Sequence, residues 1–331
     1  MSTKKYEIVK GESIVHKGRT LYRIKALRTF YVACTAISKV IKKGELGGFV
    51  ETENNLSQEG NCWIYNDAKV YGDAKVLDDA FIYNTAEVFD KAEVCNNACV
   101  SGSAKIYNNA KIYDDAYVCH VAEVYGNAKV CNFAKILDNA QVYDNAIVSS
   151  AAWVFGNARI YGDAKICDNA QIYGNAKVYD NAKIFGSARI YDNAEVYENS
   201  EIFDYALIFG NAKVFSNAKI FDTAWLYGAA KIGDKLSLNK GRYIFATLNI
   251  DETLSEIKPI CEKVDFVNKA IKSNFPVEKN YIRNLNFELA KYDELIDYFH
   301  SNEREIIFTP NENKIYKLLL QSKQNIENFS K

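Results

Sequence analysis

Histidine and cysteine are the residue types in this chain best suited to act as a base, a nucleophile or a metal ligand. The 331 residues contain three histidines, His16, His120 and His300, and eight cysteines. No two cysteines have C-x-x-C spacing, and no cysteine lies at a metal-binding distance in sequence from a histidine. Three histidines this scattered predict no three-histidine zinc site, and no Walker or Rossmann glycine pattern is present. We therefore predict no metal and no cofactor.

The elements that position these residues follow from a six-residue repeat that runs from residue 64 to residue 232 without insertion. Every sixth residue from Ile64 to Ile232 is Val, Ile or Leu, in 29 consecutive positions. Every sixth residue from Ala68 to Ala230 is Ala at 27 of 28 positions, and Ser200 is the exception. Self-similarity on this scale predicts a repeat architecture, and an array without an extruded loop lacks the usual location of catalytic residues.

Each repeat unit predicts a short strand followed by a corner. In residues 68–73, AKVYGD, Ala and Val alternate with Lys and Tyr, so one pair faces inward and the other outward. The Gly-Asp pair is turn chemistry, because both residue types tolerate left-handed backbone. Three units close a triangular coil of 18 residues, and successive coils stack about 4.8 Å apart. We predict a rod of a little over nine coils, roughly 45 Å long.

This repeat resembles that of the hexapeptide-repeat, left-handed parallel β-helix proteins. The stretches Gly47–Glu51, GGFVE, and Asn55–Tyr65, NLSQEGNCWIY, resemble the start of the YdcK-like hexapeptide-repeat proteins of bacteria and their prophages. The resemblance covers about half of the chain. It implies a mainly β protein built on a left-handed parallel β-helix, and it implies a bacterial or prophage context.

The sequence divides into three predicted domains. Residues 1–60 form an N-terminal β capping domain, whose strands cover the unpaired edges of the first coil. Residues 61–234 form the β-helix, and the repeat pattern ends after Ile232. Residues 235–331 begin with a closing strand at about residues 243–250 and continue as a mainly helical domain of three amphipathic helices. These helices must pack on each other, on the rod or on another subunit.

Charge differs between the three regions. Residues 1–60 have a net charge of +5, residues 61–234 of −7 and residues 235–331 of +1. A nucleic-acid-binding surface needs clustered basic residues, so we expect no direct nucleic-acid binding. The chain has no apolar run near 18 residues and no signal peptide, so we expect a cytoplasmic protein that does not bind a membrane.

The cysteines of the array have a structural interpretation. Cys62 occupies a small inward position of the repeat. Cys95, Cys131 and Cys167 share one face but lie two coils apart, which is too far for a disulfide. We expect free thiols.

Sorting the outward residues by 18 defines three faces of the rod. The first face contains positions 63 and 65 and their equivalents in each coil, the second face positions 69 and 71, and the third face position 75. All three tryptophans lie on the first face, which has almost no charge, whereas the other faces have a charged column. The aromatic column of the second face is interpreted as packing within the sheet. The predicted interaction face comprises Trp63, Tyr65, Phe81, Tyr83, Tyr117, Trp153, Phe155, Tyr173, Tyr191, Leu207, Phe209, Trp225 and Tyr227.

An apolar strip over the ten strands of one face exceeds what soluble monomers usually expose. We expect it to be covered by another copy of the chain, most simply in a dimer, by the C-terminal helices or by a target protein. We therefore predict a non-enzymatic binding or structural scaffold whose regular rod offers no concave pocket. In the implied prophage context, a rigid acidic rod could act as a decoy or blocker of a host or defence protein, such as a nucleic-acid-handling complex. A self-assembling structural polymer is an alternative.

The resemblance also implies an enzymatic alternative, because acyltransferases are one prominent class of hexapeptide-repeat proteins. Those enzymes use a histidine as general base at a cleft between subunits, usually beside a loop that projects from a coil. His120 lies at a corner beside the first face, where such a base could lie. No loop interrupts the array, and the sequence indicates no carboxylate that would orient the ring. We therefore predict no catalytic residue. If the acyltransferase alternative holds, His120 is the predicted catalytic residue.

Overall fold

The computed structural model describes residues 4–233, 235–239, 242–245, 317–318, 320–322 and 324. Within these residues nearly all regular structure is β, and two-residue strands alternate with four-residue corners along the array. Strands 18 residues apart pair in parallel, as Glu87 pairs with Lys105. The predicted mainly β solenoid with 18-residue coils is confirmed, and the left-handedness of the coil stays a prediction.

The strands stack into three parallel sheets, one for each face, and a strand within a face is called a rung. The rungs of the first face are Trp63–Ile64, Phe81–Ile82, Cys99–Val100, Tyr117–Val118, Lys135–Ile136, Trp153–Val154, Gln171–Ile172, Arg189–Ile190, Leu207–Ile208 and Trp225–Gly228. The rungs of the second face are Lys69–Val70, Glu87–Val88, Lys105–Ile106, Glu123–Val124, Gln141–Val142, Arg159–Ile160, Lys177–Val178, Glu195–Val196, Lys213–Val214 and Lys231–Ile232. The rungs of the third face are Lys75–Val76, Glu93–Val94, Lys111–Ile112, Lys129–Val130, Ile147–Val148, Lys165–Ile166, Lys183–Ile184, Glu201–Ile202, Lys219–Ile220 and Ser237–Leu238.

The array extends one unit beyond the predicted end. Ser237 pairs with Lys219, and Leu238 is buried at 7% exposure in the aliphatic position. The prediction that the pattern ends after Ile232 is therefore wrong, because Leu236 replaces the usual Ala and hides the repeat in the sequence. The third face contains ten strands, so the solenoid has about ten turns.

The core and the corners have the residues that the repeat predicts. The inward aliphatic and alanine side chains are buried, and from Ala68 to Ala230 their exposed fraction is 0%. The first corner residue adopts left-handed backbone, with φ of +55° at Asn66 and +67° at Gly72. Corner side chains then bond the next coil: Asp78 Oδ2 accepts from the backbone N–H of Asn96 at 3.0 Å. Each coil is thus held by backbone pairing, by its core and by its corners.

The N-terminal segment adds five strands: β1 (Tyr6–His16), β2 (Arg19–Ala26), β3 (Phe30–Ala33), β4 (Ser38–Ile41) and β5 (Leu46–Val50). β5 pairs in parallel with the first rung of the second face, and β2 and β1 extend that sheet in antiparallel order. β3 and β4 form a separate antiparallel hairpin. A 3-10 turn, Glu53–Asn55, leads to Leu56, which bridges to Val76 on the third face.

Side chains of the N-terminal segment also contact the first coil. Asn55 is buried, and its Nδ2 donates to the carbonyl oxygens of Gly72 and Ala74, both at 2.9 Å. Lys5 is also fully buried, and its ammonium donates to the carbonyl oxygens of Cys62 at 2.9 Å and Glu59 at 3.2 Å. Burial lowers the pKa of Lys5. We call residues 4–60 the cap.

Internal contacts divide the chain into two compact units, Met1–Tyr227 with Lys231–Lys240, and Gly228–Ala230 with Gly241–Lys331. The cap and the solenoid strands up to Tyr227 belong to the first unit. In the second unit, Arg242–Phe245 is a strand, which overlaps the predicted closing strand, and residues 317–318, 320–322 and 324 are helical. The first two predicted helices lie outside the described residues. The predicted domain boundaries at residues 60 and 234 stay predictions.

Candidate interaction surface

The cap covers the first rungs of the predicted interaction face. Trp63 has 0% exposure, and its ring meets Phe30 of β3 at 5.4 Å and Tyr6 of β1 at 6.4 Å, both edge-on. Phe81 on the next rung is 1% exposed and stacks on Tyr83 at 5.0 Å. Trp63 and Phe81 are therefore both buried, and the chain's own N-terminal segment packs over Trp63.

The β3–β4 hairpin reaches the second outward column of the first face through a charged contact. Lys39 Nζ on β4 donates to the hydroxyl of Tyr65 at 2.6 Å and lies 4.0 Å from the centre of its ring. The same ammonium forms an ion pair with Glu45 at 3.0 Å. The hydrogen bond from Lys39 to Tyr65 is the main cause of the raised pKa of the Lys39 ammonium. Tyr65 is thus a cap contact as well.

Further along the rod, the first face remains partly open. Trp153 is 39% exposed, and Lys135 Nζ lies 4.4 Å from the centre of its ring, at a cation–π distance. Tyr117 is half-buried, and its hydroxyl is 3.1 Å from Ser101 Oγ. Leu207 and Trp225 are also half-buried. The predicted face is therefore a mixed surface, aromatic and aliphatic but not fully exposed.

Beside these residues runs a ladder of stacked rings on the first face. Ring centres lie 4.8 to 4.9 Å apart and interplanar angles are at most 8° along Phe155, Tyr173, Tyr191, Phe209 and Tyr227. The second face has a similar ladder with spacings of 4.8 to 5.4 Å along Tyr71, Phe89, Tyr107, Tyr125, Tyr143, Tyr161, Tyr179, Tyr197 and Phe215. Ring stacking is common to both faces, so the ladder alone does not distinguish the first one.

Charge pairing does distinguish the faces. On the second face Glu195 bonds Lys177 at 3.2 Å and Lys213 at 2.7 Å, and these two lysines lower its pKa. On the third face Glu201 bonds Lys183 and Lys219 in the same way. Among the described residues, the outward side chains of the first-face rungs form no ion pair with each other. Within the described residues, the first face is therefore the one whose charged side chains are not paired with opposite charges on the same face.

His120 lies at a corner with φ of +62°. Its Nδ1 is 2.9 Å from Asp138 Oδ1 and 3.1 Å from the backbone nitrogen of Asp138. The expectation that no carboxylate orients this ring is therefore wrong, because Asp138 lies one coil further along at the equivalent corner. The two contacts are alternatives: a protonated Nδ1 donates to Asp138 Oδ1, whereas an unprotonated Nδ1 accepts the N–H of Asp138. In the second form it acts as Asn132 Oδ1 does, which accepts the N–H of Ser150 at 3.2 Å. The imidazole thus takes the place of a corner Asn or Asp.

Two cavities lie where the cap meets the rod. The first has a volume of about 400 Å³ and is lined by Cys34, Thr35, Asn97 and Asp115 among others. The second, of about 870 Å³, is lined by residues 52–58, 72–75 and 77, which include both polar and apolar side chains. The repeat pattern gives no signal for either cavity, because both need the irregular cap.

The cysteines of the array are free thiols in the structure, as expected for Cys95, Cys131 and Cys167. Cys62 is buried at the inward position. Among the described residues, no group of three or more His, Cys, Asp or Glu side chains could hold a metal ion.

In the part of the chain that the structure describes, no helix has the length and apolar character that a membrane span requires. No curated protein matches the chain. A family model for the YdcK β-solenoid repeat matches residues 140–156 and 170–187, which lie in the middle of the solenoid. The opening motif at residues 47–65 lies outside both matched stretches. The match confirms the predicted kind of repeat: the array is similar to the β-solenoid repeats of the YdcK family.

Proposed function

We propose that the protein is a non-enzymatic scaffold that binds another protein through the part of the first face that the cap leaves uncovered. A β-solenoid suits a structural or binding role, because stacked coils form a rigid surface of fixed spacing. One observation carries the proposal: the chain's own β3–β4 hairpin already packs on this face, with Phe30 against Trp63. A partner element can use the remaining rungs in the same way.

The uncovered rungs have the residue types that interfaces favour. Trp153 is partly exposed, and aromatic residues and arginine are enriched at interfaces. Lys135 and Arg189 form no ion pair with any described carboxylate, unlike the lysines that flank Glu195 and Glu201. A partner with an apolar ridge bordered by carboxylates therefore fits this surface.

A second copy of the chain is the partner we propose first, in a homodimer with two-fold symmetry. Closed symmetry makes one patch serve both subunits. Light scattering of the purified full-length protein at micromolar concentration is expected to give the dimer mass. Trp153→Glu is expected to give a folded monomer, because it places a charge in the interface. Gln141→Glu adds the same charge to the second face and is expected to leave the dimer intact.

A monomeric wild-type protein in that experiment would eliminate the homodimer and leave a foreign target as the occupant. For that case we propose a decoy or blocker of a host or defence protein, such as a nucleic-acid-handling complex. Residues 61–234 have a net charge of −7, and this supports the proposal because an acidic rod could occupy the basic groove of such a protein. Pull-down from the native cell compares the full chain with a chain lacking residues 243–331. If neither retains a protein and the rod forms long filaments, a structural polymer is the better account.

The acyltransferase alternative is favoured by one observation, the 2.9 Å contact between His120 and Asp138. We propose that this contact belongs to the corner ladder and that the protein is not an enzyme. Calorimetry with acetyl-coenzyme A is expected to show no binding. His120→Asn keeps a hydrogen-bond acceptor at the corner but removes the imidazole. It therefore tests a catalytic role of the ring without the loss of the corner hydrogen bond. Micromolar binding of acetyl-coenzyme A, with acyl transfer lost in His120→Asn, would establish the enzymatic reading.

A further inference from the structure

The exposed large hydrophobic side chains of the solenoid lie on one side of it. Among the described residues of the array they are Val121, Phe133, Trp153 and Tyr205, with relative exposures of 39% to 67%. Trp153 belongs to the first face, and the other three occupy corners at the two borders of that face. Exposed apolar side chains that are concentrated on one side of a soluble protein indicate an interaction surface.

Phe133 and Tyr205 occupy equivalent positions of the same corner, the one between the third and first faces, and lie four coils apart. The three residues between them in this corner column are small or polar: Ala151, Asn169 and Ser187. The stacked rings of the first face set the rise per coil at 4.8 to 4.9 Å. Phe133 and Tyr205 are therefore about 19 Å apart along the rod, and Asn169 marks the midpoint between them.

The first face has a matched set of residues about the same midpoint. Gln171 follows Asn169 on the middle coil, and Trp153 and Arg189 lie one coil to either side of it. Interplanar angles of at most 8° along the ring ladder show that neighbouring coils present this face in the same orientation. A two-fold axis at the middle coil, perpendicular to the rod, therefore places Trp153 of one copy level with Arg189 of a second copy.

We propose that two copies of the chain pack first face to first face with their rods antiparallel, about a two-fold axis at the coil of Gln171. This axis keeps the corner between the third and first faces of one copy against the same corner of the other. Phe133 of one copy then meets Tyr205 of the second copy, ring against ring. Trp153 meets Arg189 of the second copy at a cation–π contact. Because of the symmetry, each of these contacts occurs twice.

The charges at the borders of the face agree with this order. Lys135, two coils from the axis, is level with the exposed corner residue Asp204 of the second copy. Asp168 is exposed at the corner on the axis and lies one coil from Arg189 of the second copy, within reach of that long side chain. The carboxylates that the first face lacks are thus supplied by the corners of the second copy.

This arrangement rests on the homodimer proposed above and specifies how its two copies face each other. In a parallel dimer the axis runs along the rod, and the corner of Phe133 lies against the corner between the first and second faces. Phe133 then meets Asn139 of the second copy, and Tyr205 meets Asn211. Asn139 belongs to the corner ladder, where its Nδ2 donates to Asn157 Oδ1 at 3.1 Å. A ring placed on such amides takes polar groups out of water, whereas the antiparallel order pairs ring with ring.

The test introduces opposite charges at the two ring positions of the full-length protein. Phe133→Asp and Tyr205→Arg are each expected to weaken the homodimer at least about tenfold, because each substitution removes both copies of the ring contact. In an equimolar mixture of the two variants, a heterodimer is expected to form with an affinity near that of the wild type. One of its contacts pairs the introduced carboxylate with the introduced guanidinium, and the other keeps Phe133 against Tyr205. Native mass spectrometry separates the heterodimer from the homodimers by mass.

Asn139→Arg is the matched control, because Asn139 faces Phe133 of the second copy only in a parallel dimer. Mixed with Phe133→Asp, it is expected to give no gain in heterodimer. A gain in that mixture, no heterodimer with Tyr205→Arg, or undiminished dimerisation of Phe133→Asp would each overturn the antiparallel order while the homodimer of the wild type stands. A monomeric wild type would overturn the homodimer as well. Circular dichroism checks that each variant is folded, and the reversed pair Phe133→Lys and Tyr205→Glu replaces a variant that is not.

Discussion

The ring of Phe30 meets the ring of Trp63 edge-on, with centres 5.4 Å apart and an interplanar angle of 74°. This contact lies between a strand of the cap and the first rung of the first face. It changes the interpretation of the tryptophan column, because Trp63 is part of the core whereas Trp153 is partly exposed. The outward column that contains the tryptophans is thus buried under the cap at its first coil and partly exposed in the middle of the rod.

Phe30→Ala is expected to loosen the β3–β4 hairpin. Removing a buried phenylalanine costs about 3 kcal/mol or more through lost burial and a cavity. Hydrogen exchange of residues 30–41 is expected to accelerate, while exchange in the middle of the solenoid stays unchanged because coils depend on their neighbours. Tyr31→Ala is the matched control, since Tyr31 is 55% exposed on the same strand. Equal acceleration in both variants would contradict the assigned role of Phe30.

Glu87→Gln is expected to weaken the attachment of the β1–β2 turn. Lys17 Nζ, the Tyr71 hydroxyl and His16 Nε2 all lie within 3.1 Å of Glu87 Oε2. A hydrogen bond to a charged group stabilises by about 1.5 to 3 kcal/mol, so we expect a loss of about 2 kcal/mol at pH 7. Urea unfolding measures this difference.

The same carboxylate predicts a pH dependence. Burial raises the pKa of Glu87, but hydrogen bonds from Lys17, Tyr71 and His16 outweigh it and lower the pKa to about 2. The unfolded value is about 4.3. The stabilisation is therefore complete above about pH 4.3 and disappears as the pH falls to about 2. The gap between wild type and Glu87→Gln should close in that window, and a gap that persists at pH 2 would contradict it.

The stacked tyrosines predict unfolding in alkali. Burial raises the pKa of Tyr107 and Tyr161 to about 12, and it raises that of Tyr125 and Tyr143 as well. An unfolded tyrosine ionises near pH 10, so the unfolded chain holds fewer protons above that pH and stability falls. Tyrosinate absorbance and circular dichroism are expected to change together between about pH 10 and 12. Tyrosinate formation with the β signal intact would contradict this.

Ser200→Ala is expected to leave the stability unchanged within about 0.5 kcal/mol, or to raise it slightly. Ser200 is fully buried, and its hydroxyl donates to the carbonyl oxygen of Tyr197 at 2.8 Å. Because that donor leaves with the hydroxyl, Ala creates no unsatisfied donor and matches the other units of the column. Thermal unfolding measures the effect, and a loss above about 2 kcal/mol would indicate a specific need for the hydroxyl.

The solenoid could be predicted from the sequence because each six-residue unit contains the signals for its own strand and corner. The aliphatic position, the alanine position and the corner residues each agree with one geometry, and 29 repetitions remove the ambiguity. The signal failed only at Leu236, where one residue of the unit departs from the pattern. Local consistency was thus enough for the rod.

The cap and its contacts could not be predicted in the same way. β3 and β4 are short, and nothing in the repeat indicates that Phe30 lies on Trp63. Phe30 and Val32 are buried and Tyr31 is exposed, but all three are hydrophobic residue types, so the sequence itself shows no alternation there. The contact of His120 with Asp138 was readable from the 18-residue register, since the two residues occupy equivalent corners of successive coils. Non-local contacts of an irregular segment have no such register.

The 18-residue register determines which insertions and deletions the rod can accept without a change in its faces. Since each coil contacts only its neighbours, removing 18 residues from the middle of the array shortens it by one rise of about 4.8 Å and leaves every face continuous. Removing six residues instead turns all later positions by one third of a revolution, so that the tryptophan column is cut and joined to a lysine column. The length of this rod can therefore change in evolution by whole coils while each face keeps its residues. An insertion or deletion shorter than one coil changes which residues lie on each face.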